Sequence, residues 1–187
     1  MNRCPWLPDG NEVYAAYHDE EWGVPSHDPR YLFEMLCLEG AQAGLSWWTV
    51  LRKRDRYRAV FHHFDAGKMA AMTDRRLETL LADPGIIRHR GKVFAFRQNA
   101  RAWLDLIDRE GDPAGWLWSF VDGAPKVRRP RRMEDYAVTT PESDALSRAL
   151  RRAGFNFVGS TTMHALMQAV GMVDEHAAGC FRAGGRA

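Results

Sequence analysis

Residues 28–44, DPRYLFEMLCLEGAQAG, decide the fold class. Asp28 followed by Pro29 is a helix-start pair: the carboxylate accepts an N–H that has no partner in the helix, and proline has none to leave unpaired. Residues 31–43 are apolar nearly all round, the pattern of a helix buried inside a domain, and Gly44 ends it. Working outward, Ser46 is placed to cap a second helix, SWWTVLRKRDRYRAVFHHF, through residue 64. Upstream, helical spacing over residues 14–22 puts Tyr14, His18 and Trp22 on one side with Tyr17 beside them. Downstream, Thr73 or Asp74 opens a short helix to Leu81 that Asp83-Pro84-Gly85 breaks, and residues 91–108 read as a long helix. Thr140-Pro141-Glu142 starts a helix stopped by Gly154, and Ser160 or Thr161 starts one stopped by Gly171. FNFVG, residues 155–159, is the only short strand candidate, with a connector as the alternative reading. The sequence therefore predicts an all-α fold. Residues 123–142, GAPKVRRPRRMEDYAVTTPE, read as an exposed basic linker between two helical subdomains of one unit spanning 1–187.

The composition excludes several function classes. Apolar residues make up 45% and charged residues 27% of the chain, as in an ordinary globular protein. No apolar run approaches the ~20 residues that span a bilayer. The first residues lack the apolar stretch of a signal peptide, and three scattered cysteines do not make a disulfide framework, so a cytoplasmic location and no membrane partner are expected. The net charge of +2 conceals an asymmetry: residues 1–45 contain eight acids and two bases, whereas the remainder carries 24 bases and 16 acids. That split points to an acidic lobe and a basic, polyanion-facing one.

Within the helix after Asp28, Leu32, Met35, Leu36, Glu39 and Ala43 fall on one face, with Gln42 three residues beyond Glu39. Glu39 thus stands where a leucine belongs. It is either paired internally or partly exposed, or it is held in an apolar cavity to meet a cationic or hydrogen-bonding ligand. Trp47 and Trp48 lie within a turn of the helix end and can wall such a cavity. The Tyr14–Trp22 aromatics are further wall candidates, although such a stripe also makes ordinary core.

His176 and Cys180 are four apart, the spacing that turns two ligands toward one ion, and Cys4 and His18 can complete a Cys₂His₂ tetrahedron. The alternative is an unligated surface histidine and a free cysteine. Four filled positions make an ion structural, because a catalytic zinc keeps one open. His62-His63 reads as a helix surface feature, and no HExxH occurs. In LLADPGIIRHRGKVFAFRQNAR, residues 80–101, a glycine-containing turn joins two helices, and Arg88, Arg90, Lys92, Arg97 and Arg101 occur with no acid between Gly85 and Leu104. Exposed N–H groups at a helix start beside bases favour phosphate, though a solvated basic face has the same composition. Lys126, Arg128, Arg129, Arg131 and Arg132 form a second cluster open to either reading.

Taken in order, Arg3-Cys4, YHDEEWGVP, LFEMLCLEGAQAGLSWWTVL, GIIRHRGK, WSFV, SDALSRALRRAGFNFVG and the terminal His176 and Cys180 resemble the bacterial DNA-3-methyladenine glycosylase I family, in the helix-hairpin-helix superfamily of base-excision enzymes. The resemblance covers nearly the whole chain. It implies a helix-hairpin-helix glycosylase fold, with the hairpin near 73–108 and one structural zinc ion on Cys4, His18, His176 and Cys180 clipping the chain ends. It implies Glu39 as the functional carboxylate, in base recognition or in catalysis, with Tyr17 and Trp47 forming the pocket and Trp6, Tyr14 and Trp22 lining or supporting it. Gly44 and Leu45 would approach the gap left by a flipped base, and Gly85, Ile87, Arg88, His89, Arg90, Gly91 and Lys92 would hold the DNA backbone. The implied reaction is monofunctional excision of 3-methyladenine from double-stranded DNA in the bacterial cytoplasm at the nucleoid, by a monomer, releasing free base and leaving an abasic site. The competing readings are a zinc-stabilised binder of damaged DNA without chemistry and a glycosylase for another damaged base. Two departures stand out: Pro84-Gly85-Ile86-Ile87 lacks the second glycine common in superfamily hairpins, and Asp122 in VDGAP reads as a turn residue rather than the aspartate many superfamily members use.

Overall fold

The computed structural model describes residues 2–184. Its helices are α1 (Glu12–Glu20), α2 (Pro29–Gln42), α3 (Trp47–Leu51), α4 (Arg54–Val60), α5 (Ala66–Ala70), α6 (Asp74–Leu80), α7 (Arg90–Glu110), α8 (Pro113–Trp118), α9 (Pro141–Arg152) and α10 (Ser160–Ala169). The sequence signals account for several of these starts. Asp28 accepts from Arg30 N at 2.9 Å, Thr73 caps α6 through Arg76 N, and Thr140 and Ser143 cap α9 reciprocally. Each such cap is worth about 0.5–2 kcal/mol.

Helix α2 is the axle of the molecule. Ten consecutive residues, Leu32 to Ala41, are buried. Helices α3, α7, α8 and α10 all contact it. The longest helix, α7, runs about 30 Å at 1.5 Å per residue. Its Phe96 packs in a ring stack with Tyr57 and Phe61 at 5.4 and 4.3 Å, and its Trp103 packs on Phe33 at 5.3 Å. Helix α2 meets the chain after α9 closely at Gly40, where a Cβ would lie 3.3 Å from Phe157 Cβ.

Three expectations change. The single helix expected over 46–64 is broken into α3, α4 and a short turn at His62–Phe64 with positive φ. The buried residues Trp47, Val50, Leu51, Arg54, Tyr57 and Val60 keep helical spacing across the break, and periodicity reports that buried face without registering a local change in backbone hydrogen bonding. FNFVG is not a strand; Phe157 has φ +58° and Asn156 is bonded to Asn99 through both backbone groups. Instead, Lys126–Val127 (β1) pairs in parallel with Val173–Asp174 (β2). That bridge belongs to the third change, one of degree: residues 123–142 are mostly exposed, as expected, but they are also tied to the body as a strap. Arg129 Nη2 donates to Asp174 at 2.7 Å and its Nε to the Ala183 carbonyl at 3.0 Å, and Ala178 N donates to Pro130 O. Asp122 does sit in a turn, at φ +58°. Among the described residues, no helix is long and apolar enough to cross a membrane.

Candidate active site

The C-terminal half of α2 presents Glu39 to a pocket of about 280 Å³ walled by Trp6, Tyr14, Tyr17, Trp22, Gln42 and Trp47. Every pocket aromatic that the family resemblance implies is there. Tyr17 and Trp47 face each other at 5.3 Å between ring centroids, and Trp6 packs on Tyr14 and Trp22 at 5.5 and 4.9 Å. Glu39 is only 3% exposed, and its Oε2 has no hydrogen-bond partner. Burial pushes the carboxyl up to about 8, because removal from water penalises the charged form. It also raises the Tyr14 phenol to about 12 and the Tyr17 phenol well above its ordinary value, with the Glu39 charge adding to both shifts. The indole N–H groups of Trp6 and Trp47 are buried without acceptors. A pocket with a free carboxylate oxygen, free N–H donors and aromatic walls suits a flat, polar, electron-poor ring.

Sequence reasoning misses the opposite wall, formed by Met133, Tyr136, Ala137, Ala165 and Gln168. Met133, Tyr136 and Ala137 belong to the strap, whose composition reads only as linker. Gln168 carries a weak signal, as the one polar residue in the run ALMQAV, residues 165–170.

Beyond α2, Gly44 adopts φ +76° and leaves Leu45 40% exposed, a large apolar side chain in water beside the pocket helix. The turn between α6 and α7 is tightly built. Gly85 N donates to Asp83, whose other oxygen accepts from Arg56, and Ile87 N donates to the Tyr57 hydroxyl at 3.0 Å. A Cβ on Gly85 would lie 2.5 Å from Arg56 Cγ, so this glycine is required by close approach. His89 caps α7 by accepting from Lys92 N, and Arg88, His89, Arg90 and Gly91 are exposed.

Lys92 departs from its expected role as a phosphate contact. It is 7% exposed, and its ammonium donates to the carbonyls of Ala41 at 2.8 Å and Ala43 at 2.6 Å. These are C-terminal carbonyls of α2, where a cation satisfies acceptors the helix leaves open. The side chain therefore joins the α7 start to the end of the Glu39 helix. Arg90 pairs with Glu78 at 2.7 Å, Arg97 with Asp74 at 2.6 Å, and Arg101 donates to Ala70 O. Arg88 is left as the exposed base of the turn.

At the chain ends, Cys4, His18 and Cys180 bring their ligand atoms within 4.8 Å of one another in a buried cluster able to hold a metal ion. His176 stands against His18 at 5.2 Å between rings, and its Nε2 is buried without a partner. Each histidine is oriented through Nδ1 by a carboxylate, His18 by Asp19 at 2.7 Å and His176 by Asp174 at 2.8 Å. Cys4 Sγ accepts from Ala177 N at 3.3 Å and Cys180 Sγ from Arg182 N at 3.5 Å.

The methyladenine glycosylase family model matches residues 6–183. DNA-3-methyladenine glycosylase 1 of Escherichia coli (strain K12) is 51% identical over 181 residues, covering 96% of each chain. Among solved structures, a crystal structure of 3-methyladenine DNA glycosylase I matches with a TM-score of 0.94 at 52% identity, over 96% of this chain and 98% of the other. A crystal structure of a 3-methyladenine DNA glycosylase I variant in complex with 3-methyladenine matches with a TM-score of 0.92 at 34% identity, over 97% of both chains.

Proposed function

The chain belongs to the methyladenine glycosylase family, and from that premise we propose how its pocket excises 3-methyladenine from DNA. The enzyme hydrolyses the N-glycosidic bond of the damaged nucleotide, releasing 3-methyladenine. The observation that carries the reading is Glu39: a carboxyl buried in an aromatic pocket, one oxygen unpartnered, held largely protonated while the pocket is empty.

The order of events rests on the chemistry of the lesion. Extruding a nucleotide costs a few kcal/mol, less where methylation has weakened pairing. N3-methyladenine in DNA is cationic, so the Tyr17 and Trp47 faces attract it by ~0.5–2 kcal/mol. Its positive charge and exocyclic N–H favour the ionised form of Glu39, which offsets the burial. Undamaged adenine brings no such charge. Because the methylated base is already a good leaving group, modest stabilisation of the developing sugar cation and an attacking water suffice. Among the described residues that line the pocket none is a lysine, which favours a monofunctional reaction.

In this reading, α6, the Gly85 turn and α7 act as a helix-hairpin-helix. It grips phosphates through the exposed amides and side chains of 88–91, without the Lys92 ammonium. Gly44 and Leu45 reach toward the gap in the duplex. The donor set at the chain ends fits one zinc ion on Cys4, His18, Cys180 and His176. Two thiols that accept backbone N–H groups and two imidazoles oriented by carboxylates are donors that would suit a closed site, and the partnerless His176 Nε2 would be the fourth of them. When bound, the ion supplies a cross-link between chain ends and no chemistry at the pocket.

Incubation with a methylated duplex, followed by mass spectrometry of released bases, tests the proposal. Free 3-methyladenine is expected, with alkali-labile abasic sites in the DNA. Tight binding without base release contradicts it.

A further inference from the structure

Gln168 lines the base pocket from α10, across from the α2 wall. Its amide Nε2 donates to Glu175 Oε2 at 2.6 Å. Glu175 is 1% exposed, and the same carboxylate lies 3.3 Å from His164 Nε2 and 3.6 Å from Arg128 Nη1. A carboxylate among donors is an acceptor, so turning the amide over would set oxygen against oxygen. The orientation of Gln168 is thereby fixed, and its carbonyl Oε1 is the end left free. The residue is also anchored by its main chain, whose carbonyl accepts from Gly23 N at 2.9 Å and Gly171 N at 3.3 Å.

An adenine-type base carries two exocyclic N–H hydrogens that point along different edges of the ring, so a Glu39 oxygen that accepts one leaves the other to be met elsewhere in the pocket. A second hydrogen buried without a partner would weaken binding, because it gives up its bond to water and gains none in return. We propose that Gln168 is a specificity-determining residue whose carbonyl, locked by Glu175, accepts the second exocyclic N–H of the flipped base and disfavours purines with an oxo group at that position. A 6-oxo group would meet the Gln168 carbonyl as acceptor against acceptor, a mismatch a fixed amide cannot relieve by rotating. The inference rests on the base-excision reading of the pocket and adds the group that reads the amine.

The test uses free 3-methyladenine and 3-methylhypoxanthine, which differ by an oxo group in place of the amine. Binding to the full chain is followed by tryptophan fluorescence. The wild type is expected to prefer 3-methyladenine at least tenfold. Gln168→Met, which keeps side-chain length, is expected to lose about tenfold in affinity for 3-methyladenine and little for 3-methylhypoxanthine, the scale of one net hydrogen bond. Gln168→Leu, with thermal unfolding measured for both variants, provides the same readout should the Met variant fold poorly. An unchanged ratio between the two bases overturns the assignment, whether both affinities persist or both fall together. So does a wild type without preference. Release of 3-methyladenine from a methylated duplex by the wild type is scored separately: its absence sinks the excision reading, whereas the two-base ratio alone decides Gln168.

Discussion

Glu34 and Glu39 are both nearly inaccessible, five residues apart on the same helix, and they have opposite surroundings. Glu34 accepts from Arg54 Nε at 2.6 Å and from Arg58 at 2.8 Å, and Arg54 reaches on to Glu21 at 2.6 Å. Glu39 has aromatic rings around it and an oxygen with no partner. One buried charge is neutralised within the fold, where it fixes how α4 docks on α2. The other is left for something from outside the fold to complete. Burial of a carboxylate therefore does not mark a site; burial without a partner does.

Three experiments can break that comparison. The largest expected effect is on chemistry: Glu39→Gln should lower single-turnover excision of 3-methyladenine by about 10²–10⁴-fold with duplex affinity kept. Wild-type rates in that variant would remove Glu39 from the mechanism. On stability the order reverses. Glu34→Ala removes the carboxylate shared by Arg54 and Arg58 and should cost about 1.5–3 kcal/mol in urea unfolding, because buried Arg54 loses one of its two carboxylates and keeps Glu21. Glu39→Gln should cost nothing comparable. The remaining effect is a pH dependence. The native Glu39 carboxyl lies at about 8 against 4.5 for a glutamate in water, so above pH 4.5 the folded state holds a proton that the unfolded state has lost. Its contribution therefore favours folding least at high pH, declining between pH 4.5 and 8. Glu39→Gln relative to wild type should thus gain thermal stability steadily across that window, and a constant difference between about pH 5 and pH 8 would contradict the shift.

How much could be read from sequence follows the same division. The caps at Asp28, Thr73 and Thr140, the buried run of α2 and the position of Glu39 on its face are legible, because each is a local pattern set by helix geometry. Tyr17, Trp47 and their neighbours are legible as candidates, and proximity in three dimensions brings them into one pocket. The strap is not legible. Tyr136 and Met133 are carried to the pocket by tethers such as Arg129 to Asp174, a pairing 45 residues apart that composition cannot announce. Lys92 is misread because a lysine in a basic turn looks like a surface charge. Only the fold shows that its ammonium ends on the carbonyls of Ala41 and Ala43. The partner of a buried charge is a non-local property, which is why Glu34 and Glu39 look alike in sequence and differ in structure.

The most direct measurement is the titration of the Glu39 carboxyl itself, by infrared difference spectroscopy on protein carrying ¹³C-labelled glutamate, with Glu39→Gln as the reference. A carboxyl protonated at neutral pH and ionising at about 8 is expected in the free enzyme. A downward shift is expected when 3-methyladenine donates an N–H to it. An ordinary carboxylate pKa in the free enzyme, unmoved by the base, would contradict the role assigned to Glu39.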